Sequence, residues 1–162
     1  MLDSGFGPMA HVLLVCTGNI CRSPMAEAIA RHRLAARGRD DVTVASAGSW
    51  ALAGRRATPE AAAALAELDV AGDAHRARRL SRELIGAADR IYCLTGEHVA
   101  AVLELDPAAD RKTELLAPAG TDIADPYGQD AAFYREIRDE IAAAVDERLE
   151  EWPGSADADV EP

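Results

Sequence analysis

Cys16 and Arg22 are separated by Thr17, Gly18, Asn19, Ile20 and Cys21, and Ser23 and Pro24 follow directly. A thiol and a guanidinium at that spacing can carry out phosphoryl transfer. The sulfur, as a thiolate, attacks phosphorus and gives a cysteinyl-phosphate that water must then hydrolyse. The guanidinium is a planar fork of donors that can hold two phosphate oxygens. Five intervening residues are enough for the chain to curl round one tetrahedral oxyanion. Gly18 and Asn19 can take the positive φ angles that a tight backbone nest needs. Ser23 can donate a hydrogen bond to the thiolate and stabilise it as a leaving group. The Cys-x5-Arg spacing is weak by itself in an arginine-rich chain, so its weight comes from its setting.

That setting is a strand followed by a helix. Val12-Leu13-Leu14-Val15 is an unbroken apolar run, the pattern of a strand buried on both faces. Residues 24–37 read as a helix, with Pro24 in its first turn and Gly38 at its end. Cys16 therefore falls where a buried strand gives way to a helix N-terminus. Unpaired N–H groups and the positive end of the helix dipole favour an anion there. A thiol in such a field, beside a guanidinium, ionises more readily than a free one.

The rest of the chain alternates in the same way. Further strands are expected at 42–45, 91–94 and 113–116. Helices are expected from Thr58-Pro59-Glu60 onward, from Ser81 to Ala88, from Thr95 to about Leu105, and over 130–151. In the last of these, Phe133, Ile137, Ile141 and Val145 fall near one face. This alternation predicts a single-domain α/β fold, a four-stranded parallel sheet with helices on both faces. Ligands of such sheets bind beyond the carboxyl ends of the strands, where the loop 16–23 lies. The domain is expected to span 10–152. Residues 1–9, broken by Gly5, Gly7 and Pro8, and the acidic stretch 153–162 read as flexible tails.

Composition excludes several roles. The chain has 162 residues, 49% of them hydrophobic, which is enough for one full core. A formal net charge of −11 disfavours nucleic acid and anionic membrane as partners. Three cysteines, an odd number, argue against a disulfide framework and fit a reduced compartment. No signal-peptide pattern and no apolar run near ~20 residues is present, so a cytoplasmic protein is expected. No cofactor is implied. Only Cys16 and Cys21 approach ligand spacing, and the oxyanion loop accounts for them better than a metal does. Glu136, Asp139, Glu140, Asp146 and Glu147 on the last helix, paired with Arg135, Arg138 and Arg148, read as a solvated face. Cys93 lies within an apolar strand and reads as core.

From Val12 to about Trp152, and most specifically in CTGNICRSPMAEA at 16–28, the chain resembles the low-molecular-weight protein tyrosine phosphatases. The resemblance implies a phosphorylated protein substrate, Cys16 as nucleophile and Arg22 as phosphate clamp. It also implies that Asn19 shapes the loop and that Ser23 assists the thiolate. Asp125-Pro126-Tyr127, taken alone, is an ordinary Asp-Pro turn. By the same resemblance Asp125 is the general acid that protonates the leaving oxygen and then the base that activates water, and Tyr127 is an aromatic wall. Gly128 departs from the second aromatic found in many eukaryotic members. Trp50 falls where the family often has a pocket-lining aromatic. Ser46 resembles a serine that ties the loop through Asn19, and His75 a histidine with a supporting role. Cys21 resembles a redox partner able to trap Cys16 as a disulfide.

Three alternatives share parts of this pattern. Arsenate reductases of this type need further downstream cysteines, and only Cys93 is present. Protein-arginine phosphatases carry Thr where this chain has Ile20, and an apolar Ile20 suits a phenyl ring, so phosphotyrosine is the expected substrate. A non-catalytic anion-binding domain would not need Cys16, Arg22, Ser23 and Asp125 together.

Overall fold

In the computed structural model, which describes residues 10–152, the apolar run forms the centre of strand β1 (Ala10–Cys16), with Val12, Leu13, Leu14 and Val15 at most 2% exposed. The tails expected at 1–9 and 153–162 lie outside the described residues. Strands β2 (Val42–Gly48), β3 (Arg90–Cys93) and β4 (Thr113–Leu115) complete a parallel sheet in the order β2-β1-β3-β4. β2 runs three residues beyond the expected end at Ala45. Its ladder with β1 continues in register to Cys16↔Gly48, and pairing beside a buried central strand outweighs the low strand propensity of Ser46, Ala47 and Gly48.

Two helical layers cover the sheet. Helices α1 (Arg22–Ala36), α2 (Pro59–Ala66) and α5 (Ala131–Leu149) pack on the face carrying Val12, Leu14 and Tyr92. Helices α3 (Arg82–Ala87) and α4 (Gly96–Leu105) cover the face carrying Leu13, Val15, Ile91 and Cys93. A 3-10 turn at Pro107–Lys112, not anticipated from sequence, leads into β4. Helix α1 begins two residues before Pro24, so the proline keeps its place in the first turn, and Gly38 at φ 66° ends the segment.

Strand order reverses between β1 and β3: the chain leaves β1 for β2 on one side and reaches β3 on the other. The carboxyl end of β1 is therefore a topological switch point, and Cys16 is its last residue.

Helix α5 corrects one expectation. Its core face is Tyr134, Ile137, Ile141 and Val145, with Phe133 only partly buried. Arg138 and Arg148 do not belong to a solvated charged face; they are 8% and 6% exposed. Arg138 Nη1 donates to the Ala64 carbonyl at 3.0 Å. Arg148 donates from Nε to Leu116 O at 3.0 Å and from Nη2 to Leu115 O at 2.8 Å, with its guanidinium 5.0 Å from the Tyr92 ring centre. These arginines satisfy carbonyls at the ends of α2 and β4 that would otherwise be buried unpaired.

Candidate active site

The chain between β1 and α1 forms a tight loop. Among the described residues, no backbone carbonyl takes a hydrogen bond from the N–H groups of Thr17, Gly18, Asn19, Ile20 or Cys21. Helix α1 has no side-chain cap at Cys21, whereas Thr58, Ser81 and Asp130 cap α2, α3 and α5. Five uncommitted amides at an uncapped helix start are an anion site. The positive φ of the turn falls on Asn19 at 58°, and Gly18 is not among the positive-φ residues. Asparagine tolerates that region because its short side chain bonds locally, and here every polar atom of that side chain is used.

Those bonds set the direction of a chain of protons. Asn19 Oδ1 accepts the Arg78 N–H at 2.8 Å, so Nδ2 is the donor end. It donates to Ser46 Oγ at 2.9 Å and to Ser23 Oγ at 2.8 Å. Ser46 in turn donates a hydrogen bond to Glu27 Oε1 at 2.5 Å. Ser23, which accepts from Asn19, lies 2.9 Å from Cys16 Sγ, within reach for its hydroxyl to donate to the sulfur. His75 Nε2 donates to the Asn19 carbonyl at 2.7 Å, and its Nδ1 lies 4.0 Å from Glu27. Glu27 and Arg78 were not anticipated. Glu27 had a readable signal, since it stands one helical turn after Ser23 in α1.

The end of β2 clamps the loop from the side. Ser49 N–H donates to Cys16 O at 2.9 Å and Trp50 N–H to Thr17 O at 2.8 Å. A Cβ on Gly48 would stand 2.5 Å from Thr17 O and 2.9 Å from Asn19 N, so only glycine permits this approach.

Arg22 is 4% exposed. Its Nη1 donates to Ile123 O at 2.9 Å, and its Nη2 lies 3.5 Å from Asp125 Oδ2. Its Nε is the one buried side-chain nitrogen or oxygen among the described residues that has no partner. A buried guanidinium N–H without an acceptor is costly unless a ligand supplies one. Asp125 is half exposed, and its Oδ1 accepts the Tyr127 N–H at 3.1 Å. Gly128, at φ 80°, lets the turn close with Gln129 N–H on Pro126 O at 2.9 Å. An aromatic residue at 128 would be strained in this left-handed conformation.

These groups meet in one pocket of about 180 Å³, lined by Cys16, Thr17, Gly18, Ile20, Cys21, Arg22, Arg55, Asp125 and Tyr127. Arg55 was not anticipated; it adds positive charge at the mouth, against the chain's overall −11. Trp50 is 73% exposed and lines a neighbouring groove that shares Thr17 with this pocket, with the Arg79 guanidinium 5.5 Å from its ring centre. Its backbone N–H donates to Thr17 O.

Both loop thiols are free. Burial pushes the Cys21 thiol above its ordinary pKa, partly offset by the hydroxyls of Tyr134 at 3.2 Å and Thr58 at 3.7 Å. Cys93, wholly buried, is pushed up to about 12 and is chemically quiet. His98, also missed in the sequence, is 2% exposed, and its Nε2 lies 2.8 Å from Thr17 Oγ1. Burial first, and the Arg22 guanidinium second, lower its pKa to about 4 against the opposing pull of Asp125 and Asp122. Among the described residues no group of three or more His, Cys, Asp or Glu is placed to hold a metal ion. No helix among them is long and apolar enough to cross a membrane.

A family model described as low molecular weight phosphotyrosine protein phosphatase matches residues 11–154. A protein-arginine-phosphatase of Geobacillus stearothermophilus is 38% identical over 144 residues, covering 86% of this chain and 94% of that protein. A probable low molecular weight protein-tyrosine-phosphatase, EpsP of Ralstonia nicotianae, is 36% identical over 136 residues, covering 83% of this chain and 90% of that protein. The crystal structure of a low molecular weight protein tyrosine phosphatase from T. tengcongensis superposes with a TM-score of 0.84 at 32% identity, covering 88% of this chain and 99% of that one.

Proposed function

The chain belongs to the low molecular weight phosphotyrosine protein phosphatase family, and on that premise we propose that it hydrolyses phosphotyrosine on proteins through a cysteinyl-phosphate at Cys16. The observation that carries the mechanism is the pairing, in one small pocket, of a sulfur 2.9 Å from the Ser23 hydroxyl with a buried Arg22 Nε that has no acceptor. A phosphate dianion in the loop gives that Nε an oxygen and the five free amides a shared charge. The Cys16 thiolate then attacks phosphorus; the S–P bond forms as the P–O bond to the tyrosine ring breaks. Asp125 gives its proton to the departing phenolate oxygen. In the second step the Asp125 carboxylate takes a proton from water, whose oxygen attacks phosphorus. The S–P bond breaks, its electron pair returns to sulfur, and the Ser23 O–H stabilises the thiolate so formed.

Substrate preference rests on the wall. Ile20 is 8% exposed and lines the pocket together with Tyr127, which is 57% exposed, and an apolar surface suits a phenyl ring. The relative that is a protein-arginine-phosphatase makes phosphoarginine the second reading, in which Ile20 offers no hydroxyl to the guanidinium. The deciding experiment compares hydrolysis of phosphotyrosyl and phosphoarginyl peptides by the wild type and by Ile20→Thr. Preference for phosphotyrosine, relaxed in the variant, is expected; a wild type that favours phosphoarginine would overturn the substrate while leaving the nucleophile in place. The acidic surface and three free thiols support a cytoplasmic protein that neither binds nucleic acid nor associates with membrane.

A further inference from the structure

Three residues where β3 passes into α4, Leu94, Gly96 and His98, reach both halves of the pocket. Leu94 O accepts the Ile123 N–H at 2.8 Å, and Gly96 N–H donates to Asp122 Oδ1 at 2.9 Å, so this end of the helix carries the loop that ends in Asp125. Ile123 in turn receives the Arg22 guanidinium. The side chain that reaches back to the other half is His98. Its contacts leave one tautomer: Nδ1 accepts the Thr95 backbone N–H at 3.1 Å, so the hydrogen of the neutral ring is on Nε2. Nε2 therefore donates to Thr17 Oγ1 at 2.8 Å.

We infer that His98 is a positioning residue for the phosphatase reaction: through Thr17, the first residue after the nucleophile, it fixes the phosphate loop against the general-acid loop. The inference rests on the phosphatase reading and deepens it. Capping α4 needs only Nδ1. The Nε2 contact does nothing for the helix and is made to a residue that lines the Cys16 pocket. The bond is also held in the right protonation state. Burial and Arg22 lower the His98 pKa to about 4, so near neutral pH the ring keeps both an acceptor for Thr95 and a donor for Thr17. Thr17 is held twice, by Nε2 at its hydroxyl and by the Trp50 N–H at its carbonyl. With one lone pair of Oγ1 engaged by His98, the hydroxyl's own proton remains available to a phosphate oxygen. In-line attack depends on sub-ångström placement of sulfur against the acid across the phosphate, which makes such a tie matter for rate.

The test is a double-mutant cycle on Thr17→Val and His98→Ala with p-nitrophenyl phosphate as substrate, read as kcat/KM and as the inhibition constant of orthovanadate. Each single variant should lose roughly 10-fold in kcat/KM, as expected for one hydrogen bond, and the double variant should lose little more than either. His98→Gln, whose amide nitrogen reaches about as far as Nε2, should recover to within roughly 3-fold of wild type. Thr17→Ser should likewise behave as wild type. If His98→Ala fails to fold, the Gln and Ser variants set against Thr17→Val carry the comparison. Additive losses, or a His98→Gln variant as slow as Thr17→Val with unchanged vanadate affinity, would overturn the inference. Absence of turnover in the wild type itself would instead overturn the phosphatase reading, so the two failures are distinguishable.

Discussion

Ser23 Oγ lies 2.9 Å from Cys16 Sγ and 2.8 Å from Asn19 Nδ2. The amide nitrogen of Asn19 donates to Ser23, because its oxygen is held by the Arg78 N–H. The Ser23 hydroxyl is therefore placed to donate to a Cys16 thiolate when one forms. Removing the hydroxyl in Ser23→Ala deprives the thiolate of a bond worth about 1.5–3 kcal/mol, so kcat should fall roughly 10- to 100-fold. The step most affected is breakdown of the cysteinyl-phosphate, where sulfur leaves. Stopped-flow turnover of p-nitrophenyl phosphate should therefore show a burst of nitrophenol absent from wild type. A variant with unchanged kcat would remove Ser23 from the mechanism.

Asp125 stands at the pocket rim, half exposed and 3.5 Å from Arg22, where its carboxyl can face a leaving oxygen. Asp125→Ala should lower kcat for phenyl phosphate by about 10²–10⁴. The loss should be much smaller for p-nitrophenyl phosphate, whose leaving group needs no proton. Equal losses for the two substrates would show that Asp125 does not act as the acid.

Acid should weaken the fold through His98. Its folded-state pKa of about 4 lies below the ordinary 6.5, so between these values the unfolded chain binds the proton and the folded chain does not. Stability from this group is full above pH 6.5, falls as pH drops toward 4, and changes no further below that. The loss is on the order of 3 kcal/mol across the window. Urea unfolding at pH 7, 5.5 and 4.5 should show a steeper decline for wild type than for His98→Gln. Parallel declines would mean that His98 is not the group concerned.

Arg148 matters for the fold and not for the chemistry. Arg148→Met keeps most of the side-chain volume but strands the carbonyls of Leu115 and Leu116 and gives up the contact with the Tyr92 ring. A loss of about 2–4 kcal/mol in urea unfolding is expected. None of its partners lines the pocket, so kcat/KM per folded molecule should stay at the wild-type value. A silent change in stability would mean those carbonyls find water instead.

Much of this architecture was readable because its signals are local. The four strands, their alternation with helices and the position of Cys16 at the end of the first strand all follow from apolar runs, caps and the spacing of a few residues. Ser46 and His75 came from family resemblance; the tertiary structure places both on Asn19. What escaped was set by distance in the chain. His98 meets Thr17 across 81 positions, and Arg138 and Arg148 look like surface arginines until carbonyls of α2 and β4 are brought to them.

The sequence by itself determined the layered α/β fold, the family, and an oxyanion loop with sulfur at one end and guanidinium at the other. Periodicity and short spacings are enough for these, because backbone geometry converts them directly into strands, helix starts and a nest of amides. Only the tertiary structure decided which polar groups meet, that Arg22 Nε is buried without an acceptor, and that the start of α4 joins the loops carrying Cys16 and Asp125. Those properties depend on burial and on hydrogen bonds between residues far apart in the chain, which exist only once the layers have packed.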